Sequence, residues 1–322
     1  MRVFSNPVGA GSLWFDNLVT ADGVPVAYDP QARAFIPMPP FCANRDVIGC
    51  NWIAPNEGEF CRACAMTALA PDPEIPNAIP NWALTEAAKR WVIDNLGRWH
   101  WFRPEDPGAP PTFHMLAEGA TPVPMGHVGG VVTISVAEAD PVLSTTRREA
   151  LEEPYRTMIG HMRHEIAHML WWRLSLREDF LDAFREAFGD ERADYTEALK
   201  HHYHEGPPED WRAHYVSTYA SAHPHEDWAE TVSHLLHLTD ITDSFVASGM
   251  DLPELPRDQK WDAYAEPEAE HLIHIATAVV AGVNNVNRSM GLSDVYPFVL
   301  TEVTLQKLDF VHGWLRRGAL GL

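Results

Sequence analysis

The chain has 322 residues, with 45 acidic against 24 basic side chains and a formal net charge of −21. That balance argues against nucleic acid or an anionic membrane surface as the main partner. A hydrophobic content of 46% with 12 Trp excludes a disordered chain and is enough for a substantial core, divided into two or more units.

The first residues, Met1-Arg2-Val3-Phe4-Ser5-Asn6-Pro7, lack the apolar stretch of a signal peptide, and no apolar run approaches a membrane span. The expectation is a soluble cytoplasmic protein. All four cysteines then fall in one early window, Cys42, Cys50, Cys61 and Cys64. Cys61-Arg62-Ala63-Cys64 is a CxxC pair, while Cys42 and Cys50 have a looser spacing. Four thiols so confined, without an export signal, point to a structural zinc site. Two disulfides are the plainer alternative, and a redox CxxC lacks the βαβ context it needs.

Pro71, Pro73, Pro76 and Pro80 mark an extended linker. The pattern predicts a helix from Trp82 to Leu96, with Thr85, Glu86, Lys89 and Arg90 on its polar side. A second proline-punctuated loop holds Pro104, Pro107, Pro110 and Pro111. Thr112 to Met115 and Val131 to Val136 read as strands, the second preceded by Gly129-Gly130. From Pro154 onward the chain reads as mostly helical, with a polar segment around His201 to Trp211. The expected architecture is α+β: a cysteine unit over 1–70, then a domain over 71–322, largely helical with a small sheet.

The most informative stretch is His164-Glu165-Ile166-Ala167-His168. Glu152, Glu153 and Pro154 make a suitable helix start, with acid near the positive end of the dipole. Met158, Ile159, Met162, Ile166, Met169 and Leu170 then recur at helical spacing. On such a helix, positions i and i+4 lie on one face. His164 and His168 can therefore bind one zinc ion, with Glu165 within reach of a zinc-bound water. Two ordinary core histidines are the alternative. His161 faces the same side, but three ligands from one straight helix are awkward, so it reads as a supporting or packing residue.

A catalytic zinc needs a third protein ligand and an open position. An extended metzincin pattern is excluded, because its Gly and ligand positions hold Trp171 and Leu174. Asp190 and Asp194 are available, but their surroundings do not match an aspartate-ligand pattern. The remaining candidate is His223-Pro224-His225-Glu226-Asp227-Trp228-Ala229-Glu230, where Pro224 can open a helix. Glu226 and Glu230 would share a face, one coordinating metal and the other accepting a hydrogen bond from a ligand imidazole. Spacing alone leaves open which does which. His223 and His225 are possible substitute ligands, whereas His234 and His237 read as packing or polar-face residues.

Tyr219, followed by Glu226-x-x-Ala229-Glu230, is similar to the gluzincin arrangement of lethal-factor-type peptidases. That resemblance implies that Glu226 binds zinc, Glu230 supports the site and the Tyr219 hydroxyl stabilises the transition state. More of the chain resembles a bacterial family of zinc-binding metallopeptidases with an N-terminal zinc-ribbon region. The matching segments are Gly160 to Glu165, Phe188 to Tyr195, Tyr219 to Glu230 and Tyr296 to Leu300. Strands ahead of the metal-binding helix suit such a zincin-like domain, whose edge strand holds the substrate backbone. One departure stands out. Phe4 to Gly9 and Trp14 to Asn17 keep the framework of a first ribbon knuckle without its cysteines, which implies that its metal site is absent.

The function expected from all this is zinc-dependent hydrolysis of a peptide bond in a peptide or protein substrate. Glu165 is the expected general base, Tyr219 the oxyanion donor, and His164, His168 and Glu226 the ligands. A second, structural zinc is expected on Cys42, Cys50, Cys61 and Cys64. The alternative is a non-catalytic protein with a structural or regulatory zinc site, in which His161, His223 or His225 adds a fourth ligand. A further alternative is a cysteine unit that serves mainly to bind a protein partner.

Overall fold

The fold is taken from a computed structural model, which describes residues 3–119, 121–151, 157–256 and 261–319. The chain divides into two compact units, Met1–Met162 and Arg163–Leu322, and together they make a mixed α+β protein.

The first unit begins with two short antiparallel pairs: β1 (Phe4–Ser5) with β2 (Ser12–Leu13), and β3 (Val26–Asp29) with β4 (Ala34–Pro37). Their buried rings form one cluster. Tyr28 sits at its centre, with the Phe4, Phe15 and Phe35 rings at 5.1, 5.2 and 5.6 Å. Two single-turn helices follow, α1 (Arg45–Ile48) and α2 (Arg62–Ala65). α1 ends at Gly49, whose φ of 64° is the left-handed cap that glycine adopts without strain.

After β5 (Thr67–Leu69) comes the helix predicted to start at Trp82. It starts four residues earlier, as α3 (Ala78–Leu96), and its polar residues point inward. Thr85, Glu86, Lys89 and Arg90 are buried, not solvated. Thr85 donates to the Asn81 carbonyl at 2.9 Å, and burial of Glu86 and Lys89 is possible because they satisfy one another with help from their neighbours. Lys89 Nζ donates to Glu86 Oε1 at 2.9 Å and to Thr67 Oγ1 at 2.5 Å, and the Thr67 hydroxyl donates to Glu86 at 2.6 Å. The Trp82 indole N–H adds a third bond to Glu86, and the Lys89 ammonium lies 5.0 Å from the Phe113 ring centre.

The predicted strands are present as β6 (Thr112–Leu116) and β8 (Val131–Ser135), with β7 (Gly126–Val128) between them in sequence. The sheet order is β5-β6-β8-β7; β5, β6 and β8 run parallel, and β7 is antiparallel to β8. Alternation on β6 and β8 buries Phe113, Met115, Val132 and Ile134. α4 (Pro141–Leu151) closes the region. The expected helix start at Glu152-Glu153-Pro154 lies outside the described residues.

α5 (Met158–Leu174) carries the histidine pair. In the second unit it is followed by α6 (Glu178–Phe188), α7 (Tyr195–Glu205), α8 (Trp211–His214), α9 (Pro224–Ala247), α10 (Ala269–Ser289) and α11 (Glu302–Arg317). α9 is the central element: 24 residues long, it buries Trp228, Ala229, Val232, Leu235, Leu236 and Leu238 along with several polar groups. Phe180, Phe184 and Phe188 recur every four residues on α6, and their rings lie 5.5, 6.1 and 5.9 Å from that of Trp228. Among the described residues no helix is long and apolar enough to cross a membrane.

Candidate metal centre

α9 starts where Pro224 permits it, with Pro224 in the first turn and His223 as the N-cap. The His223 Nδ1 accepts the backbone N–H of His225 at 3.1 Å, and its Nε2 donates to the carbonyl of Ala193 at 3.1 Å. Both ring nitrogens are thus engaged in holding backbone. α9 is aligned with α5 by Trp228, whose indole N–H donates to the Ala167 carbonyl at 2.9 Å. This bond joins the turn beside His168 to the turn beside Glu226, and it sets the distance between the two elements.

The result is a tight triad. One ligating atom each of His164, His168 and Glu226 lies within 4.8 Å of the others. His164 Nε2 and His168 Nε2 are 3.2 Å apart, and Glu226 Oε2 and Oε1 lie 3.0 and 3.6 Å from them respectively. Zinc–nitrogen and zinc–oxygen bonds of about 2.0–2.1 Å imply tetrahedral edges of about 3.3 Å, so these separations suit one ion. Glu226 Oε2 is buried and accepts no hydrogen bond, as is also true of Glu165 Oε2. A carboxylate oxygen costs several kcal/mol when buried without a partner, and a cation is the partner the triad could hold.

Glu230, one turn further along α9, accepts the Nδ1–H of His164 at 2.8 Å and the Ser217 hydroxyl at 2.6 Å. That bond fixes the His164 tautomer and leaves its Nε2 lone pair facing the triad. Burial alone would lower the His164 pKa, but the Glu226 and Glu230 carboxylates outweigh it and raise the group well above the ordinary imidazole value. Glu226 is likewise kept well below the usual carboxylate range, against its own desolvation, by His168 and His164. The local field favours positive charge.

The other candidates fall elsewhere. His161 Nε2 lies 3.3 Å from Glu138 Oε2. Asp190 pairs with Arg192 at 2.7 Å, and Asp194 caps α7 by accepting the Glu197 N–H at 3.0 Å. His225 stacks on His223 and meets the Trp171 ring edge-on at 4.2 Å; burial lowers its pKa to about 4. His234 is buried against the Tyr296 hydroxyl at 2.8 Å, and His237 sits beside the Arg163 guanidinium. Tyr219 stands in a short 3-10 turn (Tyr219–Ala222), its ring 5.9 Å from that of His164. Its hydroxyl is pushed above the usual phenol range by burial and by the charge of Glu226.

In the first unit, Cys42, Cys50, Cys61 and Cys64 are buried, unoxidised and gathered in one cluster that could hold a metal. Cys50 Sγ lies 3.6 Å from both Cys61 Sγ and Cys64 Sγ. A disulfide would need about 2.05 Å, whereas a zinc tetrathiolate with 2.3 Å bonds has edges of about 3.8 Å. Backbone N–H groups of Cys61 and Cys64 point at Cys42 Sγ and Cys61 Sγ, the usual support for thiolate charge. Bonds from Cys50, Cys61 and Cys64 pull Cys42 below the ordinary thiol range, while Cys42 and the other two push Cys64 above it.

Residues 78–314 match the family described as "Putative zinc-binding metallo-peptidase". The chain belongs to that family. It is also 39% identical over 279 residues to proteins of Mycobacterium bovis and Mycobacterium tuberculosis that carry the name "Uncharacterized protein"; the match covers 84% of this chain and 81% of theirs. No solved structure matches the chain. The family is the one the sequence motifs resemble, and its zinc-binding description fits the donors of both clusters. The matched span contains the triad and leaves out the four cysteines.

One close neighbour of the triad belongs to a family-like segment but carries no site role by its motif alone. Tyr195, the first residue of α7, donates its hydroxyl to Glu226 Oε1 at 2.6 Å. The two are 31 positions apart, so no helical or strand period links them. The local signals for Tyr195 are its place at the end of the segment Phe188 to Tyr195, which carries the family resemblance, and Asp194, a good N-cap that fixes where the helix and its first side chain begin.

Proposed function

We propose that this protein is a zinc-dependent hydrolase of peptide bonds, with a peptide or protein as its substrate. The observation that carries the reading is the convergence of His164, His168 and the buried Glu226, with Glu165 beside His164 on α5. Zinc held by those three groups would supply Lewis acidity to an amide carbonyl and acidify a water beside it. Glu165, with one oxygen buried and unbonded, takes the proton of the attacking water and returns it to the leaving amine. Tyr219, whose ring lies 5.9 Å from that of His164, donates its hydroxyl to the oxyanion of the tetrahedral intermediate. Glu230 holds the His164 ring in the orientation its task requires.

The cysteine cluster takes a second zinc with a structural role, a donor set that suits a reducing compartment such as the cytoplasm. The test is metal analysis of the purified protein with a peptide-library cleavage assay, with and without chelator. Glu165→Gln should retain zinc and lose about 10²–10⁴-fold in turnover. Cleavage at the wild-type rate by that variant, or by chelated protein, would overturn the reading.

A further inference from the structure

Tyr195 stands against the one carboxylate of the triad, and neither the motifs nor the family description give it a task. Its hydroxyl bonds Glu226 Oε1 at 2.6 Å, an oxygen that also lies 3.6 Å from His168 Nε2, whereas Oε2 of the same carboxylate faces His164 Nε2 at 3.0 Å without a hydrogen bond. The two oxygens are thereby distinguished. A carboxylate free to rotate about its terminal bond presents either oxygen, or both, to a cation; a fixed donor on one of them removes that freedom.

The donor is itself fixed. Asp194 caps α7 directly before Tyr195. The His223 ring ties the Ala193 carbonyl to the first turn of α9, so one imidazole joins the start of the helix bearing Tyr195 to the start of the helix bearing Glu226. That ring also lies edge-on to Tyr195, at 5.1 Å between centres. The loop ahead of Asp194 is fastened twice more, by Arg185 on Glu191 at 2.5 and 3.0 Å and by Arg192 on Asp190. Such effort around a side chain that is 41% exposed is not needed for packing a core.

We propose that Tyr195 is a positioning residue: it holds the Glu226 carboxylate in one rotation about its terminal bond, with Oε2 toward His164, and in doing so sets the affinity of the triad for a divalent cation. The inference rests on the reading of the triad as a metal site. Zinc titrations of the full chain against a chromophoric chelator separate the two. The binding step missing from His168→Ala belongs to the triad. In Tyr195→Phe that step should weaken by about 10–100-fold, the usual loss when a group bonded to a metal ligand is removed. The remaining zinc step and the melting temperature of the metal-free protein should stay at their wild-type values. An unchanged triad step in Tyr195→Phe overturns the role of Tyr195 and leaves the metal site standing. A fall in both zinc steps together with the melting temperature overturns it too, in favour of a phenol that only supports the fold. A wild-type protein with no step dependent on His168 overturns the metal site itself, and this inference with it.

Discussion

Lys89 and Glu86 show what a buried charge requires. Neither side chain has measurable solvent exposure, and their 2.9 Å pair is completed by Thr67 and Trp82. Removing one partner leaves the other charge in a low-dielectric interior, so Lys89→Ala should destabilise the protein by about 3–5 kcal/mol. Replacing both by apolar residues of similar size should cost far less, and urea unfolding of the single and double variants checks the contrast. Asp94 is a different case. It accepts the Tyr28 hydroxyl on both oxygens, and burial raises its pKa from 3.8 to about 6 despite the opposing Arg33. The folded state therefore holds this proton more tightly than the unfolded chain. Its contribution is full below about pH 4 and is lost as the pH rises through 6. Relative to wild type, Asp94→Asn should flatten the fall in stability between those values, a difference of up to about 3 kcal/mol, measured by denaturant unfolding across the range.

At the scale of elements, two helices decide the site, and one indole aligns them. Trp228 fills the space among Phe180, Phe184 and Phe188 while its N–H reaches the α5 carbonyl of Ala167. Trp228→Ala should cost about 3–5 kcal/mol through the cavity it leaves. Because the same bond lines up the turns carrying His168 and Glu226, zinc bound at the triad should fall as well, and metal content of the folded variant measures it. α11 starts with a reciprocal cap: Thr301 Oγ1 accepts the Thr304 N–H at 3.3 Å, and Thr304 Oγ1 accepts the Thr301 N–H at 2.7 Å. Thr301→Ala should cost about 1 kcal/mol without touching the triad, and serves as a control of similar chemistry.

For the whole molecule, the two clusters divide the expected effects of metal removal. The four thiols lie among buried residues of Met1–Met162, a region whose core is small rings and short strands. Zinc there would add folding free energy directly. Chelation should lower the first unfolding transition by roughly 5 °C or more, and Cys64→Ser should reproduce that fall. His168→Ala should not, since its ring is 16% exposed at the rim of a site supported by α9. Calorimetry of the three proteins, with and without chelator, distinguishes these outcomes.

His164-Glu165-x-x-His168, Pro224 ahead of Glu226 and Glu230, and the confined cysteines are local patterns, and periodicity was sufficient to place them on their helices and turns. The α+β class followed from the same kind of signal. Three things needed the tertiary structure. Which of the two glutamates meets both imidazoles depends on how α9 is rotated against α5, and Trp228 sets that rotation from 61 positions beyond Ala167. Glu86 and Lys89 of α3 look solvated by composition, yet Thr67 on β5 and their own pairing allow them to be buried. Tyr195 reaches Glu226 where His223 ties two helix starts together. In each case the deciding bond joins side chains or backbone that are distant in the chain, and the energy of such a bond leaves no period for a sequence to display.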